Sequence, residues 1–287
     1  MGVKGLFKIV TEQAPGSMEA VSESTPLTSG ESLAIDTTYV IHRYIHADPH
    51  RRDLAGDLVR KFAGLVKSAP ATTFVFDGPN SRAEKAGTRA SRDLRRSTES
   101  TQLATARAKL CEGPPAEDAA RLEQLVQTLE RRCVDPTDEA IEGVRTRFEA
   151  LGWNVQVALH DGEELVAELV RSGQCDAGYT DDSDVLVWGC PVTYIRTGAA
   201  RRMTRVRLSL ILEGLRFTRA QFVDMALLLG TDFTNCTLPG VGPKRALALI
   251  RQHGTIERIL EARTRSAKCT TIEADFDYKS ARVIFAC

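Results

Sequence analysis

Nothing in this chain narrows its fold as much as where its acids fall. Leu33-Ala-Ile-Asp36, Phe74-Val-Phe-Asp77, Ala177-Gly-Tyr-Thr-Asp181-Asp182-Ser-Asp184 and Met225-Ala-Leu-Leu-Leu-Gly-Thr-Asp232 each end in a carboxylate as apolar character stops. Taken as strands between helical patterns, these runs predict an α/β architecture on a mostly parallel twisted sheet flanked by helices. Ligand sites in open α/β sheets form at the carboxyl ends of strands, so the aspartates would converge on one crevice. Asp at a strand end can also cap the next helix or make a turn, as Asp77-Gly78 could. A cap has no need to be acidic every time, because Ser, Thr and Asn serve equally well, whereas a cation site needs charge.

Asp161-Gly-Glu163-Glu164 repeats the pattern where the strand predicted over Trp153-Asn-Val-Gln-Val-Ala-Leu gives way to a helix. The inward candidates are then Asp36, Asp77, Asp161, Glu163, Asp182, Asp184 and Asp232. Carboxylates gathered this closely repel each other and titrate upward without a counter-charge. All donors are oxygen, which suits the hard cations Mg²⁺ or Mn²⁺ better than zinc. A two-metal phosphodiester hydrolase is the implied chemistry.

With 38 Lys+Arg against 38 Asp+Glu and 43% apolar residues, the 287-residue chain has ample core and no net charge, which excludes disorder. No stretch approaches the roughly 20 apolar residues of a membrane span, and the start of the chain lacks a signal peptide's build. Cys111, Cys133, Cys175, Cys190, Cys236, Cys269 and Cys287 never form a C-x-x-C pair, so reduced thiols in an intracellular compartment are expected. Zinc ribbons or fingers are not, because their ligands come in close pairs. Leu6 stands where myristoylation needs Ser or Thr, leaving Gly2 to be explained otherwise.

From Pro79 to His160 a long insertion opens with Arg82, Lys85, Arg89, Arg92, Arg95 and Arg96, then turns Ser/Thr-rich from Ser97 to Thr105. Pro114-Pro115 opens a second helix with Leu122, Leu125, Val126 and Leu129 at i, i+3, i+4 and i+7. The reading is a helix pair with a flexible join, followed by a third helix over about Thr137 to Gly152. Pro15 to Ser32 reads as a loop, and no internal repeat is visible.

In order and spacing, Met1-Gly-Val-Lys-Gly-Leu, Leu33-Ala-Ile-Asp36, Phe76-Asp77-Gly78, Asp161-x-Glu163, Thr180-Asp-Asp182-Ser-Asp184, Leu229-Gly-Thr-Asp232 and Leu238-Pro-Gly-Val-Gly-Pro-Lys-Arg245 span nearly the whole chain. This set resembles the flap-endonuclease and XPG-type structure-specific 5′ nucleases. The resemblance implies a PIN-like fold with a helical arch and a helix-two-turn-helix DNA-binding element. It implies one nuclease domain over 1–287, comprising an N-terminal part with the gateway helix (1–96), an arch insertion (97–136), an internal nuclease part (137–235), the helix-two-turn-helix (236–260) and a tail (261–287).

By the same resemblance the seven carboxylates hold two Mg²⁺ ions, with Mn²⁺ as a substitute. The family usually has Glu-x-Glu where this chain has Asp161-Gly-Glu163, and the shorter Asp161 could act through a bound water. Gly2 lies beside the active site, and Lys85 and Arg92 reach the scissile phosphate, with Arg82 in reserve because Asp77 to Lys85 is one residue longer than the family spacing. Fixed cations there stabilise charge on the nonbridging oxygens. His42 stacks on a base, with Tyr39 as an alternative. Arg89, Arg95 and Arg96 read instead as a solvated basic face that touches the DNA backbone nonspecifically. Gly240, Gly242, Lys244 and Arg245 bind duplex phosphate, with potassium at the turn. Basic runs at Arg82 to Arg96, Arg196 to Arg207 and Lys244 to Arg251 form a phosphate track despite the zero net charge.

The implied partner is branched DNA: a 5′ flap, a gap or a nicked duplex, in replication, repair or recombination. A 5′-to-3′ exonuclease of the exonuclease-1 type, a catalytically weak junction-binding relative and a PIN-type ribonuclease are the competing readings. The ribonuclease leaves Gly2 and the helix-two-turn-helix unexplained. The chain lacks the clamp-binding Q-x-x-(I/L)-x-x-F-F tail, so no sliding-clamp docking is expected. A monomer acting in the nucleus or at a viral replication site is the expectation.

Overall fold

The computed structural model describes residues 2–78, 85–198, 200–234, 237–265 and 276–285, with the side chains of 86–89 and of 265 not included. In chain order the first part carries α1 (Leu6–Gln13), β1 (Met18–Ala20), α2 (Thr25–Thr28), β2 (Leu33–Asp36), α3 (Thr37–Ala47), α4 (Leu54–Ser68) and β3 (Thr73–Phe76). Then follow α5 (Ala86–Cys111), α6 (Ala116–Cys133), α7 (Asp138–Ala150), β4 (Asn154–Val157), α8 (Gly162–Arg171), β5 (Ala177–Tyr179) and α9 (Asp184–Val187). A hairpin of β6 (Val192–Thr197) and β7 (Arg202–Arg207) leads to α10 (Leu208–Leu215), α11 (Arg219–Leu229), α12 (Pro243–His253), α13 (Ile256–Arg265) and α14 (Tyr278–Ile284).

The strands form one seven-stranded sheet in the order β1-β7-β6-β5-β2-β3-β4. Pairing is parallel from β6 through β5, β2 and β3 to β4, and antiparallel at β6–β7 and β7–β1. Side chains alternate between faces along a strand. Leu33, Ile35, Phe74, Phe76 and Tyr179 accordingly join Val40, Leu58, Phe62 and Phe148 in one core layer. Ala34 and Val75 face the other, with Leu6, Val166, Trp188 and Phe222. Burial on both faces explains why β2 and β3 read as unbroken apolar runs.

Parallel register brings the carboxyl ends of β5, β2, β3 and β4 to one edge of the sheet: Asp36 pairs with Val75, and Phe76 with Val157. Gly78 lies close against the turn after β4, where a Cβ would stand 2.2 Å from the Ala158 carbonyl oxygen. Its amide donates to the His160 carbonyl at 3.0 Å.

Four expectations are corrected. Met225–Leu229 is not a strand but the end of α11, buried on every side from Phe222 to Leu229. A run without polar breaks cannot tell a buried helix from a buried strand; here Thr218 and Gln221 form a capping box that starts the helix. The Ser/Thr-rich stretch is no join, because α5 runs unbroken through it. Thr98, Thr101 and Thr105 turn their hydroxyls back onto the carbonyls of Leu94, Ser97 and Thr101 at 2.9–3.1 Å, which satisfies them inside the helix. Pro15 to Ser32 holds a 3-10 turn, β1 and α2 rather than a loop alone. The basic run Arg196 to Arg207 is largely paired: Arg196 and Arg201 meet Asp181, Arg205 meets Glu31 and Arg207 meets Glu19.

The pair α5 and α6 packs antiparallel through a narrow seam that buries Ala106 and Leu129, with Arg107 and Glu130 bridged at 2.7 Å. Cys111, Cys133, Cys175 and Cys190 are free thiols, while Cys236, Cys269 and Cys287 lie outside the described residues. Among the described residues no helix is long and apolar enough to cross a membrane.

Candidate active site

A cavity of about 300 Å³ opens at the carboxyl edge of the sheet, and Asp36, Asp77, Asp161, Glu163, Asp182 and Asp232 line it. Asp36 ends β2, Asp77 follows β3, Asp161 and Glu163 open α8, and Asp182 follows β5. Asp232 arrives differently from the sequence expectation, on the turn after α11, where Gly230 adopts a left-handed φ of 93°. Asp184 does not line the cavity but stands directly behind it, its amide donating to Asp182 Oδ1 at 3.0 Å.

Local hydrogen bonds aim these groups. Asp36 caps α3 by accepting the Tyr39 amide at 3.0 Å, and its other oxygen accepts the Thr180 hydroxyl at 2.8 Å. Asp77 Oδ1 accepts the Gly162 amide at 2.8 Å, while its own amide donates to Thr38 Oγ1 at 3.0 Å. A Cβ at Gly162 would come within 2.7 Å of Asp77 Oδ1, so the residue between Asp161 and Glu163 must stay small. Gly2 has a φ of 89°, and a Cβ there would lie 2.3 Å from both Asp182 Oδ1 and Ser183 Oγ. The next amide, of Val3, donates to Ser183 Oγ at 2.8 Å, which docks the chain start against the acids.

Burial, then the charge of Asp77, raises the Asp36 carboxyl to about 7. Glu163, Asp182 and Asp184 are also shifted upward, first by burial and then by neighbouring acids. Lys85 Nζ sits 2.7 Å from Asp161 Oδ1 and over the Phe233 ring. Burial opposes its charge, but Glu163, Asp161 and Asp232 hold the proton, and its pKa lies above the ordinary lysine value. Arg92 Nη2 meets Asp232 Oδ2 at 2.6 Å. Asp184 Oδ1 is buried without a hydrogen-bond partner. An all-carboxylate donor set that burial and mutual repulsion push toward the neutral form until a counter-charge arrives, with an unmatched buried oxygen, fits hard divalent cations.

The remaining expected residues divide between this cavity and a separate surface. His42, Arg95 and Arg96 line the cavity with Tyr39. His42 Nδ1 stands 3.7 Å from Asp135 Oδ1, and Tyr39 donates its hydroxyl to Asp181 at 2.8 Å. Arg82 and the side chain of Arg89 lie outside the described residues. Gly240, Gly242, Lys244 and Arg245 do not line this cavity; they stand at the start of α12, where Gly240 has a φ of 71° and Lys244 and Arg245 are exposed. Arg245 Nη1 turns back to the Gly240 carbonyl at 3.3 Å. The sequence reading assigned no role to Thr38, Thr180, Gly162 and Asp181. Thr180 and Asp181 had a signal as neighbours of Asp182, and Gly162 as the residue between Asp161 and Glu163; Thr38 had none. Asp181 faces away from the cluster and gathers Arg196, Arg201 and Tyr39.

The XPG I-region model matches residues 152–232, the stretch that supplies Asp161, Glu163, Asp182, Asp184 and Asp232. Flap endonuclease 1 of Ajellomyces dermatitidis (strain ER-3 / ATCC MYA-2586) is 30% identical over 301 residues, spanning 99% of this chain and 72% of the relative. The chain belongs to the flap endonuclease family. Flap endonuclease 1 of Mycosarcoma maydis is 29% identical over 305 residues, or 99% of this chain and 77% of that protein. The fold of this flap endonuclease family member matches that of the catalytic core of Rad2 in complex with DNA substrate, with a TM-score of 0.67 at 21% identity over 99% of this chain and 80% of that one.

Proposed function

We propose that this protein is a structure-specific 5′ nuclease that hydrolyses DNA phosphodiesters beside single-strand/double-strand junctions, with a 5′ flap as preferred substrate and gapped or nicked duplexes as further ones. The observation that carries the reading is the meeting of six carboxylates with Lys85 and Arg92 in one cavity at the root of α5. Membership in the flap endonuclease family supports the substrate class.

Asp36, Asp77, Asp161, Glu163, Asp182, Asp184 and Asp232 would hold two Mg²⁺ ions, or Mn²⁺ in their place. When bound, such ions supply Lewis-acid polarisation of the phosphate and an activated water at neutral pH. Lys85 and Arg92 supply fixed positive charge where phosphoryl transfer accumulates negative charge. Their carboxylate partners keep both cations oriented before substrate arrives, and an entering phosphate competes with Asp161 and Asp232 for them. His42 or Tyr39 would offer a ring to the base beside the cut, and Arg89, Arg95 and Arg96 would follow the backbone. Gly240 and Gly242 leave the amides at the start of α12 open to a duplex phosphate, with Lys244, Arg245 and a potassium ion completing that contact. The products are a 5′-phosphate and a 3′-hydroxyl, released by a monomer.

A 5′-labelled double flap, nicked duplex, gapped duplex and four-way junction, each incubated with Mg²⁺, test the reading. Cleavage near the flap junction is expected; cleavage of the four-way junction alone, or of no substrate with any divalent cation, overturns it. Lys85→Ala should slow single-turnover cleavage by about 10²- to 10³-fold while changing flap affinity little.

A further inference from the structure

Beside the carboxylate cluster, α3 carries His42 and His46 one helical turn apart, which puts both rings on the same face. Asp135, on the link between α6 and α7, comes up to that face. One ring nitrogen of each histidine and one oxygen of Asp135 lie within 4.8 Å of one another. The two rings meet edge to face with centroids 6.0 Å apart, and His42 Nδ1 is 3.7 Å from Asp135 Oδ1.

Neighbouring groups hold this arrangement in place. Arg96 Nη2 takes Asp135 Oδ2, leaving Oδ1 turned toward His42. His46 Nε2 lies 2.9 Å from the Val134 carbonyl oxygen, which holds its ring against the same link. Partners of this kind orient ligands around a metal. Two imidazoles and one carboxylate, with further positions open to water, are the donor set of a borderline transition-metal ion rather than of magnesium. His46 is exposed and the other two are half-buried, so an ion can enter from solvent.

We propose that His42, His46 and Asp135 form a binding site for a zinc-type transition-metal cation that fastens α3 to the foot of the α5–α6 pair. The site goes beyond the nuclease reading and rests on different donors from the carboxylate centre. Its occupation would hold the α6–α7 link in place and engage the His42 ring, leaving Tyr39, which lines the same cavity, as the ring offered to the base.

Isothermal titration of the intact protein with Zn²⁺ under saturating Mg²⁺, paired with the visible absorption of bound Co²⁺, tests the site. One Zn²⁺ per chain is expected, with a Co²⁺ spectrum showing nitrogen ligation. His46→Ala should weaken Zn²⁺ at least tenfold, and Asp135→Asn should weaken it too. Asp184→Asn should leave the affinity within about threefold, because that carboxylate belongs to the other centre. His46→Gln, which keeps a polar group against the Val134 carbonyl, guards against a misfolded alanine variant and should bind as weakly. Unchanged Zn²⁺ affinity in both His46 variants, loss of binding in Asp184→Asn, or no Zn²⁺ uptake by the wild-type chain overturns the proposal.

Discussion

Asp36 holds conflicting tasks in one side chain: it caps α3, accepts Thr180 and faces Asp77 within a buried cluster. Its folded-state pKa of about 7 lies above the ordinary 3.8, so the folded protein binds that proton more tightly than the unfolded chain. The stability it contributes is fully present below pH 3.8 and is lost as pH rises through about 7. Thermal melts of metal-free protein should therefore show falling stability from pH 5 to 8, and Asp36→Asn, which keeps an acceptor for the Tyr39 amide, should flatten that slope. Gly2 is an oddity in the sequence that the family resemblance places beside the active site, and the contact with Asp182 and Ser183 supplies the physical reason. Gly2→Ala should cut cleavage and divalent-ion affinity by at least tenfold, read by titration calorimetry, because a methyl group there displaces the Asp182 carboxylate. Asp181 shows the limit of reading by residue type. An acid beside Asp182 in sequence, it pairs with Arg196 and Arg201 and does not line the cavity.

Helix α11 carries Asp232 to the cluster and is anchored by a second acid that sequence reading passed over. Asp224, buried within α11, accepts Arg282 of α14 at 2.8 and 2.9 Å and the first amide of α13 at 3.1 Å. Glu257 of α13 shares the same guanidinium at 2.6 Å. Arg282→Ala leaves Asp224 buried without its counter-charge and should cost about 2–3 kcal/mol, below the range for a fully buried pair because the guanidinium is partly exposed. Hydrogen bonding to Arg282 draws Glu257 down to about 2. Its contribution is present above pH 4.5 and lost as pH falls toward 2, so urea melts of Arg282→Ala should differ from wild type less at pH 3 than at pH 7. At this scale β2, β3, β4, β5, α7 and α8 were legible from their apolar patterns, whereas β6, parallel to β5, was not read as a strand. Helices α5 and α11 were misread for opposite reasons, one rich in hydroxyls that bond to its own backbone and the other apolar on all sides.

Zero net charge over the whole chain hides an uneven distribution. The arginines of β6 and β7 are largely paired with acids, whereas Lys244 and Arg245 stand exposed at the start of α12. Flap binding should weaken steeply with salt, and the double variant Lys244→Ala/Arg245→Ala should lower the slope of log affinity against log salt by about 1–2, measured by fluorescence anisotropy. The strand-end acids, the basic helix that follows Asp77 and the strands β2 to β5 could be read from the chain because each rests on local order: an apolar run, an acid at its end, a run of arginines and lysine. Which acids share the cavity, which cations are already engaged, and how Asp135 meets two histidines of α3 could not be read. Those pairings join residues distant along the chain, and only packing of helices on both faces of the sheet brings them within a few ångströms.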